Sequence, residues 1–262
     1  MSTPIKIVSF NIRGAWQGDG INSFPHRVGA ILFKLDREQP DVVCFQEVTT
    51  RIAVFLERHL PEYLLLYRGR EVGMTGEGLA IAIRRSTMEL MSTDCFWLSE
   101  TPYVPGSRFA DQSDCPRVCQ IAMLRRKGDK NPFWVYNNHL DHISDSARIL
   151  GIHQTMERIS ADQAKFAFPV FILGDFNAGP GTETIRYCDE YADFPIVDLT
   201  RGCGSTFHNF GREERDEAEG HIDFIYVDKA TATKPYQITL WTDVKDGIYL
   251  TDHYPVCLSI EL

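Results

Sequence analysis

The chain has 262 residues, a length at which α/β architectures often fold around one core, so we expect residues 1–262 to form one domain. Hydrophobic residues make up 44% of the chain and charged residues 24%, a composition that excludes disordered, collagen-like and fibrous proteins. The formal net charge of −9 disfavours binding to a long nucleic acid, because such binding depends on lysine and arginine neutralising phosphates.

The N-terminal half alternates strand and helix patterns. Alternating apolar residues predict a strand over residues 5–12, and a glycine-rich loop follows from Gly14 to Gly20. Apolar residues at helical spacing predict a helix from Pro25 to the break at Gln39-Pro40. The other elements predicted in this half are strands at 42–45, 63–67 and 78–83 and a helix at 50–60.

The second half repeats this rhythm. Strands are predicted at 118–124, 134–138, 170–173, 222–227 and 255–260, with a helix at 144–163. Residues 95–118 are rich in Pro, Gly, Ser and Asp and predict a long irregular loop beside the functional site. The charged residues 211–219 predict a solvated loop. Together the elements predict two packed sheets flanked by helices.

Several features bear on compartment and partners. No apolar run reaches the roughly 18 residues that a membrane-spanning helix needs, so we expect no membrane association. The first strand begins by Ile5, which leaves no room for a secretion signal after Met1. Seven cysteines without a CxxC pair disfavour both a disulfide scaffold and a thiolate zinc site. We therefore expect a cytoplasmic protein, and we expect it to be a monomer.

Short polar clusters recur at the ends of the predicted strands. The clusters are Ser9-Phe-Asn11, Phe45-Gln-Glu47, Asn137-Asn-His139-Leu-Asp141, Gly174-Asp175-Phe-Asn177, His221-Ile-Asp223 and Thr251-Asp252-His253. Any one of them has a structural interpretation as a turn, a helix cap or a hydrogen-bonded histidine. Strand ends at one edge of a sheet converge on a crevice, so their recurrence in this order predicts a shared functional site.

This ordered set of motifs resembles the endonuclease/exonuclease/phosphatase superfamily, the deoxyribonuclease I and exonuclease III type, over the whole chain. The resemblance implies an α/β fold in the form of a four-layered α/β sandwich, with two packed, mostly antiparallel sheets flanked by helices. It also implies a single active-site cleft at one edge of the two sheets. The segment 96–107 and Pro116-Arg117 resemble a small microbial-type subgroup whose substrates are mostly unassigned.

The resemblance implies a metal site for Mg²⁺ (or Mn²⁺) at Glu47, with Asn11 and Asp252 nearby. These side chains offer the hard oxygen ligands that both ions prefer. A divalent ion there would polarise a phosphoryl oxygen and offset the charge that develops in the transition state.

The resemblance also assigns catalytic roles. Asp175, with Asn177 beside it, would hold the attacking water. His253 would contact the phosphate and be oriented by Asp223, and His139 would contact it from the other side.

Four further residues are expected to contact substrate: Arg117, Arg13, Asp141 and Trp97. A guanidinium group suits bidentate recognition of phosphate, although an arginine on a loop also often forms a structural ion pair. Trp97 and Phe109 are placed to stack on a sugar or base, or to anchor the long loop in the core. Phe109-Ala-Asp111 stands where the subgroup usually has Gly-Trp-Asp, a departure that bears on substrate identity.

We therefore expect a divalent-metal-dependent phosphoester hydrolase acting on a small phosphorylated metabolite such as a sugar phosphate. The alternative is a metal-dependent endonuclease or exonuclease acting on DNA or RNA, which the acidic isoelectric point near 5.4 disfavours. A catalytically silent binding protein ranks last, since the motif set is complete.

Overall fold

A computed structural model describes residues 4–213 and 221–262. Most of the charged segment 211–219, predicted to be a solvated loop, lies outside the described residues. Within the described ranges, none of the helices combines the length and the apolar character needed to cross a bilayer.

Two six-stranded sheets form the centre of the fold. The first contains, in spatial order, β11 (Tyr236–Leu240), β14 (Val256–Ile260), β1 (Ile5–Asn11), β2 (Val42–Thr49), β4 (Glu77–Arg84) and β3 (Tyr63–Gly69). The second contains β5 (Met88–Trp97), β6 (Val118–Arg126), β7 (Pro132–His139), β8 (Val170–Asp175), β10 (Asp223–Asp228) and β9 (Ile196–Asp198). A small hairpin pairs β12 (Val244–Lys245) with β13 (Ile248–Tyr249).

In the described part of the chain, four α-helices cover the outer faces of the sheets: α1 (Phe24–Glu38), α2 (Thr50–His59), α3 (Asp145–Gln163) and α4 (Glu183–Glu190). Short 3₁₀ helices occupy Gln17–Asn22, Asn209–Gly211 and Thr231–Thr233. Hydroxyl side chains cap three of the four α-helices, with Thr49, Ser144 and Thr182 each accepting a hydrogen bond from an amide in the first turn.

Three apolar layers lie between these elements, one between the two sheets and one between each sheet and its helices. They form because successive strand residues point to opposite faces of a sheet. Ile7 packs between the two sheets, whereas its neighbour Val8 packs outward against α1 and α2. On the other side, Tyr136 packs outward against α3 and α4. The order of layers is therefore helix, sheet, sheet, helix, which confirms the predicted α/β sandwich.

Two parallel strand pairs bring the polar clusters to one edge of the sandwich. β1 runs parallel to β2, with α1 between them in sequence, and β7 runs parallel to β8, with α3 between them. All other strand pairs within residues 4–213 and 221–262 are antiparallel, so the prediction of mostly antiparallel sheets is confirmed. Asn11 and His139 thus end their strands at the same edge, and Asp223 begins β10 beside Asp175.

The segment predicted as one long loop is shorter than expected. Strand β5 includes residues 95–97 and strand β6 begins at Val118, so the irregular part spans residues 98–117. β5 lacks a clear apolar alternation because it is an edge strand, and its middle residues are exposed. Strands β9 and β11, the hairpin strands β12 and β13, and helix α4 were also not predicted.

Gly174 precedes Asp175 in a backbone conformation that requires glycine. Its φ is +138°, and an added Cβ atom would collide with the backbone carbonyl oxygen of Asn138 on the neighbouring strand β7. We expect Gly174→Ala to lower the free energy of unfolding by about 3 kcal/mol or more, as backbone strain and a core clash combine. Urea denaturation would measure the change.

Gly29 offers a matched control, because it lies in α1 and an added methyl group there meets nothing within 4 Å. Gly29→Ala should raise stability by about 0.5 to 1 kcal/mol. Equal stability of the two alanine variants would contradict the proposed constraint at Gly174.

Candidate active site

The polar clusters meet at the edge where the two sheets pack together, a region that we call the cleft, and the strands that face each other fix their order along it. From one end to the other, β14 contacts β10, β1 contacts β8, β2 contacts β7 and β4 contacts β6. His253 and Asp223 therefore lie at one end. Asn11 and Asp175 lie beside them, and Glu47 and His139 come next.

Asn11 connects the two sheets at the centre of the cleft. Its Nδ2 donates to Asp175 Oδ2 at 2.9 Å and to Glu47 Oε1 at 3.1 Å. Its Oδ1 accepts from the backbone amide of Arg13 at 3.0 Å. Asn11 thus holds two carboxylates from different sheets close together.

Glu47 is fixed by a bulge in β2. The register with β4 shifts between Phe45 and Val48, and Glu47 has a φ of +58°. Its Oε2 accepts from the Gly14 amide at 3.1 Å. Burial raises the pKa of Glu47, but Arg13 and the Gly14 amide lower it further, so the carboxylate is ionised.

Arg13 and Asn177 share the left-handed conformation of Glu47, with φ values of +57° and +50°. Such conformations cost on the order of 1 to 3 kcal/mol each and cluster at functional sites. Three of them around one cleft support the assignment of this edge as the active site.

Asp175 is a buried carboxylate at the centre of the site, 2% exposed. Its Oδ1 accepts from the Asn177 amide at 2.9 Å, while its Oδ2 faces Nε2 of His139 at 3.6 Å and Nε2 of His253 at 3.8 Å. Burial is the main cause that raises its pKa to about 7, and Asp223 adds to this effect. The group can therefore gain or lose a proton near neutral pH.

The two histidines beside Asp175 favour opposite charge states. His253 Nδ1 lies 2.8 Å from Asp223 Oδ2, and although burial lowers its pKa, Asp223 and Asp175 raise it to about 10. Burial and the nearby Arg117 and Arg70 hold the pKa of His139 well below its usual range. At neutral pH His253 is thus a cation that can donate from Nε2, whereas His139 is neutral.

Asp252 lies near Arg13 and Glu47. Its Oδ2 is 3.5 Å from Arg13 Nε, and Thr251 Oγ1 donates to its Oδ1 at 3.1 Å. Burial, together with repulsion from Glu47, raises the pKa of Asp252. Arg13 also pairs with Asp19 at 3.2 Å, so both carboxylates hold the guanidinium group that was expected to contact phosphate.

The donor chemistry of the cleft fits a divalent cation. Glu47 and Asp252 offer carboxylate oxygens that repel each other, and a cation between such groups relieves the repulsion. Asn11 contributes less directly than expected, because its carbonyl oxygen already accepts from Arg13. Among the described residues, a compact set of ligand atoms within 4.8 Å also occurs at Asp175, Asp223 and His253. In that group His253 Nδ1 already pairs with Asp223 Oδ2 at 2.8 Å, so we favour the Glu47 side.

The sequence profile of the Endonuclease/Exonuclease/phosphatase family matches residues 8–253, which include every polar cluster described above. The chain belongs to this family. Members of the Endonuclease/Exonuclease/phosphatase family are phosphoester hydrolases and are generally dependent on divalent metals. A search of curated proteins found no match.

Solved structures agree with the family assignment. An endonuclease/exonuclease/phosphatase from Bacteroides vulgatus is 26% identical, with a TM-score of 0.89 and 100% of both chains covered. A Bacteroides thetaiotaomicron mannosyl-6-phosphatase is 23% identical, with a TM-score of 0.84 and coverage of 98% of this chain and 100% of that one. D. rerio TDP2 complexed with single strand DNA product is 17% identical, with a TM-score of 0.73 and 100% of both chains covered. At these two lower identities the likeness shows the fold alone.

Two residues expected to contact substrate have structural roles in this member of the Endonuclease/Exonuclease/phosphatase family. Trp97 is only 4% exposed, and its Nε1 donates to the Arg70 carbonyl oxygen at 2.6 Å, so it anchors the loop as the alternative interpretation proposed. Phe109 also packs against a hydrophobic core. Asp141 accepts from Ser113 and from the amides of residues 143 and 144, which leaves it to shape the turn before α3.

Arg117 lies in the cleft wall, and two residues beside it were missed by sequence reasoning. Arg117 Nη2 lies 3.0 Å from His142 Nδ1, and the residue is 4% exposed. Arg70 Nη1 pairs with Glu77 Oε1 at 2.6 Å. Arg70 directly follows β3 and Glu77 begins β4, so the strand-end rule that found the other residues could also have found this pair.

Proposed function

We propose that the protein is a Mg²⁺- or Mn²⁺-dependent phosphatase that acts on a small phosphorylated metabolite such as a sugar phosphate. The main observation in support is the position of Asp175, which faces a cationic His253 and a neutral His139 and is joined through Asn11 to Glu47. This arrangement combines a proton acceptor, a donor to a phosphoryl oxygen and a cation site within one cleft.

The ion would be held by Glu47 and Asp252, with Asn11 orienting the Glu47 carboxylate. When bound, it supplies Lewis-acid polarisation of a phosphoryl oxygen. Gly14 and Arg13 keep Glu47 ionised, which is the state that binds a cation.

The chain's own residues account for attack by water. Asp175, with a pKa of about 7, can accept the proton of a water that attacks phosphorus, and the Asn177 amide fixes its other oxygen. His253 can donate from Nε2 to a phosphoryl oxygen, because Asp223 keeps the ring charged and oriented. His139 can donate one hydrogen bond from a neutral ring on the opposite side.

Charge favours a small substrate over a nucleic acid. With a net charge of −9, the chain has no excess of lysine and arginine to neutralise the many phosphates of a nucleic acid. A cation in the cleft suffices to offset the charge of one phosphoryl group. The mannosyl-6-phosphatase among the structural relatives has such a small substrate by name, and TDP2 was solved with single strand DNA product. The salt dependence of activity distinguishes a small substrate from a nucleic acid, since a nuclease loses activity steeply as the salt concentration rises.

A phosphate-release screen tests the proposal. We expect release from at least one sugar phosphate with Mg²⁺ or Mn²⁺, loss of release with EDTA and recovery when the ion is restored. The panel should also contain nucleotides, inositol phosphates and abasic DNA. Cleavage of DNA alone would contradict the proposal, as would activity that persists after chelation and dialysis.

A further inference from the structure

Two arginine residues from different sheets lie at the β4–β6 end of the cleft. Arg70 follows β3 and Arg117 precedes β6, so both stand at the same edge as Glu47 and His139. They are 9% and 4% exposed. Each lies close enough to lower the pKa of His139, which places them on the wall beside the catalytic histidine.

These two guanidinium groups have unused hydrogen-bonding capacity. Among the described residues, Arg117 Nε and Nη1 and Arg70 Nε are buried without a hydrogen-bond partner. Burial lowers the pKa of Arg117, and the next largest cause is the like charge of Arg70. An arginine pair in this state needs an acceptor, because buried charges without hydrogen bonds are costly.

The surrounding carboxylates do not fill this need. Glu71 is about half exposed and lies 3.7 Å from Arg70 Nε, beyond hydrogen-bonding distance. Glu77 pairs with Arg70, but burial and repulsion from Glu47 raise its pKa. Asp141 lies 4.0 Å from Arg117 Nε, yet both of its oxygens accept shorter hydrogen bonds from the turn before α3. His142 Nδ1 lies 3.0 Å from Arg117 Nη2, and burial and Arg117 lower the pKa of His142, so the neighbouring ring is neutral and does not offset the charge of the pair.

We propose that Arg70 and Arg117 form a second anion-binding subsite, which takes an anionic group of the substrate other than the phosphoryl group that is cleaved. The proposal rests on the proposed phosphatase function and narrows its substrate class to phosphate esters with a second phosphate or a carboxylate. β6, which Arg117 precedes, is one strand from the His139 strand β7 and two from the Asp175 strand β8, and β3, which Arg70 follows, is two strands from the Glu47 strand β2. At a strand spacing of about 4.8 Å, the two anionic groups would be separated by roughly 5 to 10 Å.

Paired ligands test this subsite. 6-Phosphogluconate and glucose 6-phosphate each have one phosphate ester, but only the first has a carboxylate at the far end. Glucose 1,6-bisphosphate supplies a second phosphate instead. We expect the wild-type protein to favour the two ligands that have a second anionic group over glucose 6-phosphate by about tenfold or more. The preference would be measured as kcat/KM where the ligands are hydrolysed and as affinity by calorimetry.

Arg70→Gln should remove most of this preference, because losing a charge-assisted hydrogen bond lowers affinity by about tenfold or more. Arg70→Lys should retain part of it, since the charge remains but the planar fork is lost. Arg68→Gln is a matched control, because Arg68 carries the same charge on β3 and its side chain contacts Met74. That variant should keep the wild-type preference.

Two results would overturn the subsite. One is an equal loss for singly and doubly anionic ligands in Arg70→Gln, which would mean that the pair acts on the cleaved phosphoryl group or on folding. The other is a wild-type protein without preference for the second anionic group. Thermal unfolding of Arg70→Gln and of Arg117→Lys shows whether the fold is kept.

Calorimetry in the Asp175→Asn background removes the need for turnover. A preference for doubly anionic ligands that depends on Arg70 would support the subsite even if no ester in the screen were hydrolysed. Failure of the phosphatase proposal and failure of the subsite therefore give different results.

Discussion

Replacing Asp175 with asparagine should lower kcat for phosphate release by about 10³-fold, within the range for loss of a general base. Asparagine has almost the same shape, but it cannot accept a proton from water near neutral pH. It also loses one of the two hydrogen bonds that Asp175 accepts, either from the Asn177 amide or from Asn11 Nδ2. We expect that second effect to cost about 1 kcal/mol of stability, far less than is needed to unfold the chain. Steady-state kinetics at saturating Mg²⁺ would measure the loss.

Asp41 is a matched control for the same substitution. Its carboxylate is buried and accepts from two donors, the Lys6 amide at 2.9 Å and Thr87 Oγ1 at 2.6 Å, at the opposite edge of the sandwich. Asp41→Asn should lose similar stability and keep its kcat. Substantial turnover by folded Asp175→Asn would show that another group accepts the proton.

The general shape of the cleft was predictable because it follows from strand ends. Asn11, Glu47 and Asp175 each end an apolar strand segment, and parallel pairing of neighbouring strands places such ends at one edge. His253 lies just before β14 and pairs with Asp223 at the start of β10. Residues at the N-terminal ends of antiparallel strands therefore also lie at this edge. Strand periodicity therefore carries most of the information about which residues meet.

The role of each residue at that edge was harder to predict than its position. Asp141 and Trp97 lie near the cleft, but their polar atoms are used by Ser113 and by the Arg70 carbonyl oxygen. Nothing in the local sequence distinguishes a carboxylate that shapes a turn from one that faces substrate. The opposite charge states of His139 and His253 likewise depend on neighbours far away in sequence.

Elements with few buried apolar residues were missed. Helix α4 has eight residues, of which Thr184, Ile185 and Cys188 are buried, too few to give a helical period. The strands β12 and β13 have two residues each. These elements form because the rest of the fold positions them, so their own sequences contain little signal.

Glu47→Ala should lower turnover by about 10³-fold, through loss of the cation rather than loss of a proton acceptor. The substitution removes a carboxylate that Arg13 and the Gly14 amide keep ionised. It also removes a like charge that raises the pKa of Asp252, so Asp252 should become more acidic. Because one carboxylate remains, we expect weakened rather than abolished binding of Mg²⁺.

Titration calorimetry with Mg²⁺ distinguishes this loss from the Asp175 effect. Glu47→Ala should weaken Mg²⁺ affinity by tenfold or more, whereas Asp175→Asn should change it less, because Asp175 reaches the cation site only through Asn11. Glu47→Gln keeps the side-chain volume and should behave like the alanine variant, which would identify charge as the cause. Glu38→Ala removes a carboxylate paired with Lys6 and Lys34 outside the cleft and should bind Mg²⁺ normally. Wild-type Mg²⁺ affinity in both Glu47 variants would place the cation elsewhere, with the Asp175, Asp223 and His253 group as the next site to test.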